Sequence, residues 1–115
     1  MTEQIGGRAV EVHVLGPDGR DMGTGLDDRE RATVEALDRA LTANSDFTRE
    51  YPGARLIRVD SSRGVDEHRQ GRYLLRYEVP GKVSAEFWGH LGTAKVDLKK
   101  GVVAVPLPPR QQGNG

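Results

Sequence analysis

Apolar and polar positions alternate over Val10, Glu11, Val12, His13 and Val14, the period of a half-buried β-strand. Gly16-Pro17-Asp18-Gly19 follows. Proline presets φ, aspartate bonds its own backbone and glycine takes positive φ, so this segment reads as a turn. A short return strand over Arg20 to Met22 fits behind it. Beyond Gly23-Thr24-Gly25 the period changes. Asp27 with Glu30 three residues on resembles a capping box, and Asp27, Asp28 and Glu30 suit the positive end of a helix dipole. Val34, Leu37, Ala40 and Leu41 form one apolar stripe at helical spacing, with Arg31, Glu35, Asp38 and Arg39 largely off it. The helix is expected to end near Asn44. Ser45 then caps one further turn in which Phe47 and Tyr51 meet, and Pro52-Gly53 stops it.

From there the period is two. Ile57 and Val59 oppose Leu56, Arg58 and Asp60. A polar loop from Ser61 to Gln70 leads into the clearest strand of the chain. Tyr73, Leu75, Tyr77 and Val79 make one face of it, and Arg72, Leu74, Arg76 and Glu78 the other. After a Pro80-Gly81 turn, Val83, Ala85 and Phe87 oppose Ser84, Glu86 and Trp88, until Gly89 and Gly92 break or bulge the strand. Val96 and Leu98 mark a short strand, Lys99-Lys100-Gly101 a turn, and Val102 to Val105 the last strand.

The order β–(β)–α–β–β–β–β predicts an α+β fold. One main amphipathic helix packs on a four- to five-stranded antiparallel sheet, because short connections join the strands after the helix. Residues 1–105 form a single α+β domain, and residues 106–115 a flexible Pro/Gln/Gly-rich tail. At 115 residues there is no room for a second core. Such a layer pair leaves one sheet face wet. Glu11, His13, Arg58, Arg72, Arg76, Glu86 and Trp88 are assigned to that face. The element order is similar, at fold level only, to that of cystatin-like domains. The Gln-x-Val-x-Gly first loop and Pro-Trp second loop of those inhibitors are absent, so protease inhibition is not carried over.

Charge sharpens the picture at one place. The chain has no net charge, yet residues 1–48 carry five Arg against ten Asp/Glu, and residues 49–76 seven Arg against four acids. Those seven, of thirteen arginines in all, fall within 28 residues that contain no lysine. Three of them, Arg58, Arg72 and Arg76, alternate onto the wet face. Trp88 joins them if its strand holds register, and His90 follows it at the strand end. Guanidinium binds carboxylate or phosphate bidentately and stacks on rings. Trp and Arg lead the list of interface hot spots. Binding residues Arg58, Arg72, Arg76, Trp88 and His90 therefore suggest a non-enzymatic module that docks a protein partner, or a second copy, on the sheet. Asp60, Glu78 and Glu86 supply the plainer alternative of a mixed-charge solvated face. Single-stranded nucleic acid is the weaker alternative, because counterion release needs an excess of positive charge that this neutral chain lacks.

Other chemistries find little support. With no cysteine there are no disulfides, thiolate metal sites or cysteine nucleophiles. His13 and His90 with Glu86 or Glu11 would make a two-His, one-carboxylate site only if the first and fourth strands were neighbours, and no metal or cofactor is expected. His68 falls in the polar loop. The Gly16–Asp28 segment has neither a Walker pattern nor a dinucleotide fingerprint. Ser45, Ser61, Ser62 and Ser84 lie in no Gly-x-Ser-x-Gly elbow. A pocket between helix and curved sheet, lined by Tyr73, Tyr77 and Phe87, is the remaining route to a small-molecule or enzymatic site. Pro106-Leu107-Pro108-Pro109-Arg110 has the look of a polyproline ligand but fits a chain-end linker better. Met1 to Arg8 shows no apolar signal-peptide core, and no apolar run approaches the ~20 residues of a membrane span. A cytoplasmic location is expected.

Overall fold

The structure is a computed structural model that describes residues 2–5, 7–15, 20, 25–61 and 72–106. The chain runs β1 (Thr2–Ile5), β2 (Arg8–Val14), α1 (Asp28–Thr42), α2 (Ser45–Glu50), β3 (Arg55–Ser61), β4 (Tyr73–Glu78), β5 (Ala85–Leu91), β6 (Lys95–Asp97) and β7 (Val102–Val105). All strands join one sheet in the order β1-β2-β3-β4-β5-β7-β6.

This corrects the expected four- to five-stranded antiparallel sheet with one main helix: among the described residues the sheet has seven strands, is mixed, and carries two helices. The excess strands are short and mostly polar. β1, Thr-Glu-Gln-Ile, has no alternation to read, yet it pairs with β2 around Gly7, whose φ of 84° suits the tight reversal. The parallel pairs have a topological cause. The two helices intervene between β2 and β3, and a connection that long lets β3 return in the same direction as β2. At the other edge β6 lies outermost, and β7 inserts between it and β5, so β7 runs parallel to β5. Among the described strands, the neighbours β1-β2, β3-β4, β4-β5 and β6-β7 are antiparallel, as chain-order reasoning expects.

Helix α1 opens with the capping box read from the sequence. The Glu30 amide donates to Asp27 Oδ1 at 2.8 Å and the Asp27 amide to Glu30 Oε1 at 3.2 Å. Asn44 rather than Ser45 caps α2, its side chain accepting from the Phe47 amide at 2.9 Å. Phe47 then drops into the core. Its ring lies 5.4 Å from Tyr51, 5.3 Å from Tyr77 and 5.4 Å from Phe87, which fastens α2 to β4 and β5 through edge-on and tilted ring contacts. Val34, Leu37 and Leu41 of α1 meet Val10, Val14, Val59, Leu75 and Val103 of the sheet, all fully buried.

Two local departures from simple alternation set the faces. A β-bulge between Leu56 and Arg58 lets both face their partners, Tyr77 and Arg76, with Ile57 as the extra residue. Leu56 is therefore buried and Ile57 only half-buried, the reverse of a strict period of two. β5 starts at Ala85, leaving Val83 exposed outside the strand, and it carries Gly89 without a bulge. A Cβ at Gly89 would stand 2.6 Å from Leu37 Cδ1, so the missing side chain is what lets α1 press onto the sheet. The turn at Gly16–Gly19, most of the Arg20–Met22 return strand, the Ser62–Gly71 loop with His68, and the tail from Leu107 lie outside the described residues.

Candidate functional site

With the helices on one side, no described helix or strand covers the opposite face of the sheet, here called the open face, and the cross-strand register fixes which side chains meet there. Glu11 on β2 pairs with Arg58 on β3, Arg58 with Arg76 on β4, and Arg76 with Glu86 on β5. These four residues form one row across four strands, reading acid, base, base, acid. The next row runs His13, Asp60, Leu74, Trp88, Val102 and Asp97. Gln4 and Ala9, paired on β1 and β2, extend the same face toward the edge.

Two arginines directly opposite one another on a sheet repel. Carboxylates on both flanks offset this. Arg58 donates from Nε and Nη2 to Asp60 at 3.2 and 3.1 Å and from Nη1 to Glu11 at 3.4 Å. Arg76 donates from Nε to Glu86 at 2.8 Å. Arg55 reaches Glu78 across the same pair of strands at 2.7 Å. Glu11 also accepts from His13 Nε2 at 2.8 Å. That hydrogen bond, and then the positive charges of His13 and Arg58, hold the Glu11 carboxyl below its ordinary pKa. The face is thus dense in charge but locally neutral.

Trp88 is the exception to this pairing of polar groups. Its side chain sits 46% exposed between Leu74 and Val102. The alternation in β5 holds through Phe87, so Phe87 is buried and Trp88 faces outward. His90 follows on the same face, half-buried, with Nδ1 3.0 Å from the Leu91 carbonyl oxygen. Arg72 is exposed one residue before β4. Of the five residues singled out in the sequence, Arg58, Arg76, Trp88 and His90 therefore share a face, and Arg72 is exposed where the chain enters β4. Arg58, Arg76 and Trp88 are at its centre, and His90 toward one end.

The other readings fare differently. His13 and His90 lie on β2 and β5, with β3 and β4 between them, about 14 Å apart by strand spacing. Among the described residues no three of His, Cys, Asp and Glu cluster as metal ligands. Tyr77 and Phe87 are fully packed and Tyr73 is buried, so these three build the core under the helices rather than line an opening. A cleft of about 570 Å³ does occur, but between α2 and the β6 edge, lined by Asp46, Arg49, Tyr51, Lys95, Val96 and Lys99 among others. Ser45 and Ser84 are exposed, and Ser61 is buried with its hydroxyl unbonded among the described residues. Among the described residues no helix is long and apolar enough to cross a membrane.

Sequence reasoning missed one polar group. Asp38 on α1 is buried. It accepts from the Tyr77 hydroxyl at 2.6 Å on one oxygen and is ion-paired with Arg8 of β2 on the other. Burial, and then the Asp38 charge, raise the Tyr77 phenol far above its ordinary pKa. The signal was present in the spacing, because 34, 37, 38 and 41 are i, i+3, i+4 and i+7 of one helical face. Asp38 belongs to the stripe, and its partners Arg8 and Tyr77 satisfy it there.

No protein-family model, curated protein or solved structure matches the chain.

Proposed function

We propose that the protein is a non-enzymatic protein-interaction module that docks a partner through the open sheet face. Trp88 is the anchor, and Arg58, Arg72, Arg76 and His90 surround it. The observation that carries this reading is the exposure of Trp88, the only tryptophan in the chain, at the centre of a broad sheet face. A large ring left in water beside Leu74 and Val102 gains most when a partner covers it. The surrounding ion pairs favour protein over nucleic acid. Arg58 and Arg76 already share their charge with Glu11, Asp60 and Glu86, so little positive excess remains to release counterions from a phosphate chain.

A photo-crosslinking amino acid placed at position 88 tests the reading, with position 83, the apolar and still more exposed site of Val83 outside the strands, as control. Irradiation in the native host is expected to give a discrete protein adduct from position 88 that Arg58→Glu plus Arg76→Glu abolishes. Identical adducts from both positions, an adduct indifferent to the arginines, or an adduct to nucleic acid overturns it.

A further inference from the structure

The register of the two central strands singles out one partner. On the open face β4 presents Arg76 and Leu74, and β5 presents Glu86 and Trp88, with Arg76 opposite Glu86 and Leu74 opposite Trp88. Each cross-strand pair joins complementary groups, a cation with an anion and an aliphatic side chain with an aromatic one. Consider a second copy laid face to face by a twofold axis that runs along the strands between β4 and β5. The axis leaves height along the strands unchanged and exchanges β4 with β5. Arg76 of each copy then lies over Glu86 of the other, and Leu74 over Trp88. An axis across the strands would instead mix the two rows and set charge on apolar surface. Aligned packing of two sheets is an ordinary arrangement, about 10 Å apart and within about 30° of parallel. A twofold interface requires this kind of self-complementary surface.

We infer that the partner is a second copy of this chain, bound face to face about an axis between β4 and β5. Trp88 is covered by Leu74 of the other copy, and Arg76 and Glu86 form reciprocal pairs. The inference rests on the docking role given above to this face. The − + + − row supports it further, because only an offset of two strands sets its charges in opposition, and this axis produces that offset. Sheet twist carries the outer strands apart, so the contact centres on four strands at most, and a weak, concentration-dependent dimer is expected.

The test is a charge swap that keeps the fold. Arg76→Glu combined with Glu86→Arg preserves the cross-strand ion pair within each chain, and the double variant should dimerise with an affinity within about threefold of the wild type. Mixed with wild type it should not pair, because acid then faces acid and base faces base. Sedimentation velocity from about 10 μM to about 1 mM, spanning the weak range of small interfaces, reads the mass. Trp88 emission should shift to the blue as each homodimer forms. At least a tenfold weaker mixed dimer is expected, followed with one chain labelled. A wild type that stays monomeric throughout, or a swap variant that pairs freely with it, overturns the inference. A monomeric chain whose position 88 still crosslinks to a different protein would reject the second copy alone. Absence of both signals would reject the docking face as well.

Discussion

Replacing Tyr77 with phenylalanine tests the buried network of Tyr77, Asp38 and Arg8. The ring is fully buried, and its hydroxyl donates to Asp38 at 2.6 Å, so Tyr77→Phe removes a hydrogen bond to a carboxylate without opening a cavity. Asp38 keeps its pair with Arg8. The loss should therefore fall within the usual range for an orphaned buried group, about 2 kcal/mol at pH 7. For a domain of 115 residues that lowers Tm by about 8 °C.

The pH dependence carries a sharper test. Folding raises the Tyr77 pKa, so the folded state keeps the phenol protonated where the unfolded chain ionises it. The stabilisation is complete below the unfolded pKa of about 10 and is lost above it, by about 1.4 kcal/mol per pH unit. Phenylalanine has no such loss. The wild-type advantage should accordingly shrink by about 1.4 kcal/mol between pH 8 and pH 11. Every other ionisable group is common to both proteins and cancels in the difference. Urea unfolding of both proteins at several pH values measures it. A stability difference that does not change up to pH 11 would refute the burial of the hydroxyl against Asp38.

Two further outcomes follow from local geometry. Gly89→Ala should destabilise by about 1–3 kcal/mol in thermal unfolding, since its Cβ would meet Leu37 at 2.6 Å, and combining it with Leu37→Ala should cost less than the sum of the two single losses. The Glu11 carboxyl should titrate by NMR below its ordinary value of 4.5, and His13→Ala should move the midpoint back up; because its folded pKa is depressed, the small stabilisation it gives is present above that ordinary value and fades as pH falls through the folded one.

Much of the site was legible because alternation in β4 and β5 is strict. Tyr73, Leu75 and Tyr77 against Leu74 and Arg76, then Phe87 against Glu86 and Trp88, give both faces without any structure. The misreadings have separate physical causes. β1 is an edge strand of mostly polar residues, and strand pairing there is a backbone matter that side-chain pattern does not reveal. The insertion of β7 between β5 and β6 depends on long-range pairing, whereas chain-order reasoning assumes that sequential strands are neighbours. Asp38 was set largely off the apolar stripe, although its i+4 spacing from Val34 puts it on the buried face. A buried carboxylate needs both Arg8 and Tyr77, 30 and 39 residues away, and no local window contains them.

The bulge in β3 joins the core to the open face, and it yields a prediction that strict alternation would reverse. Leu56 pairs with Tyr77, and Arg58 with Arg76, adjacent residues on β4, so Ile57 is the surplus residue. The parallel pairing with β2 begins only at Arg58, so the surplus is borne on the β4 side. Deleting Ile57 should leave Leu56 facing the core, Arg58 facing outward and every later pair in place. The loss is confined to the partial burial of one isoleucine, about 1–2 kcal/mol. Deleting Val59 from the same strand instead removes a fully buried side chain. It also turns Asp60 and Ser61 to the opposite faces, which drives the carboxylate of Asp60 into the core. The Ile57 deletion is expected to unfold cooperatively with a near-native circular dichroism spectrum and to retain the exposed Trp88 emission, and the Val59 deletion to lose the fold. Equal damage from the two deletions would mean that Ile57 is not the surplus residue, and that the row of Glu11, Arg58, Arg76 and Glu86 is not built as described.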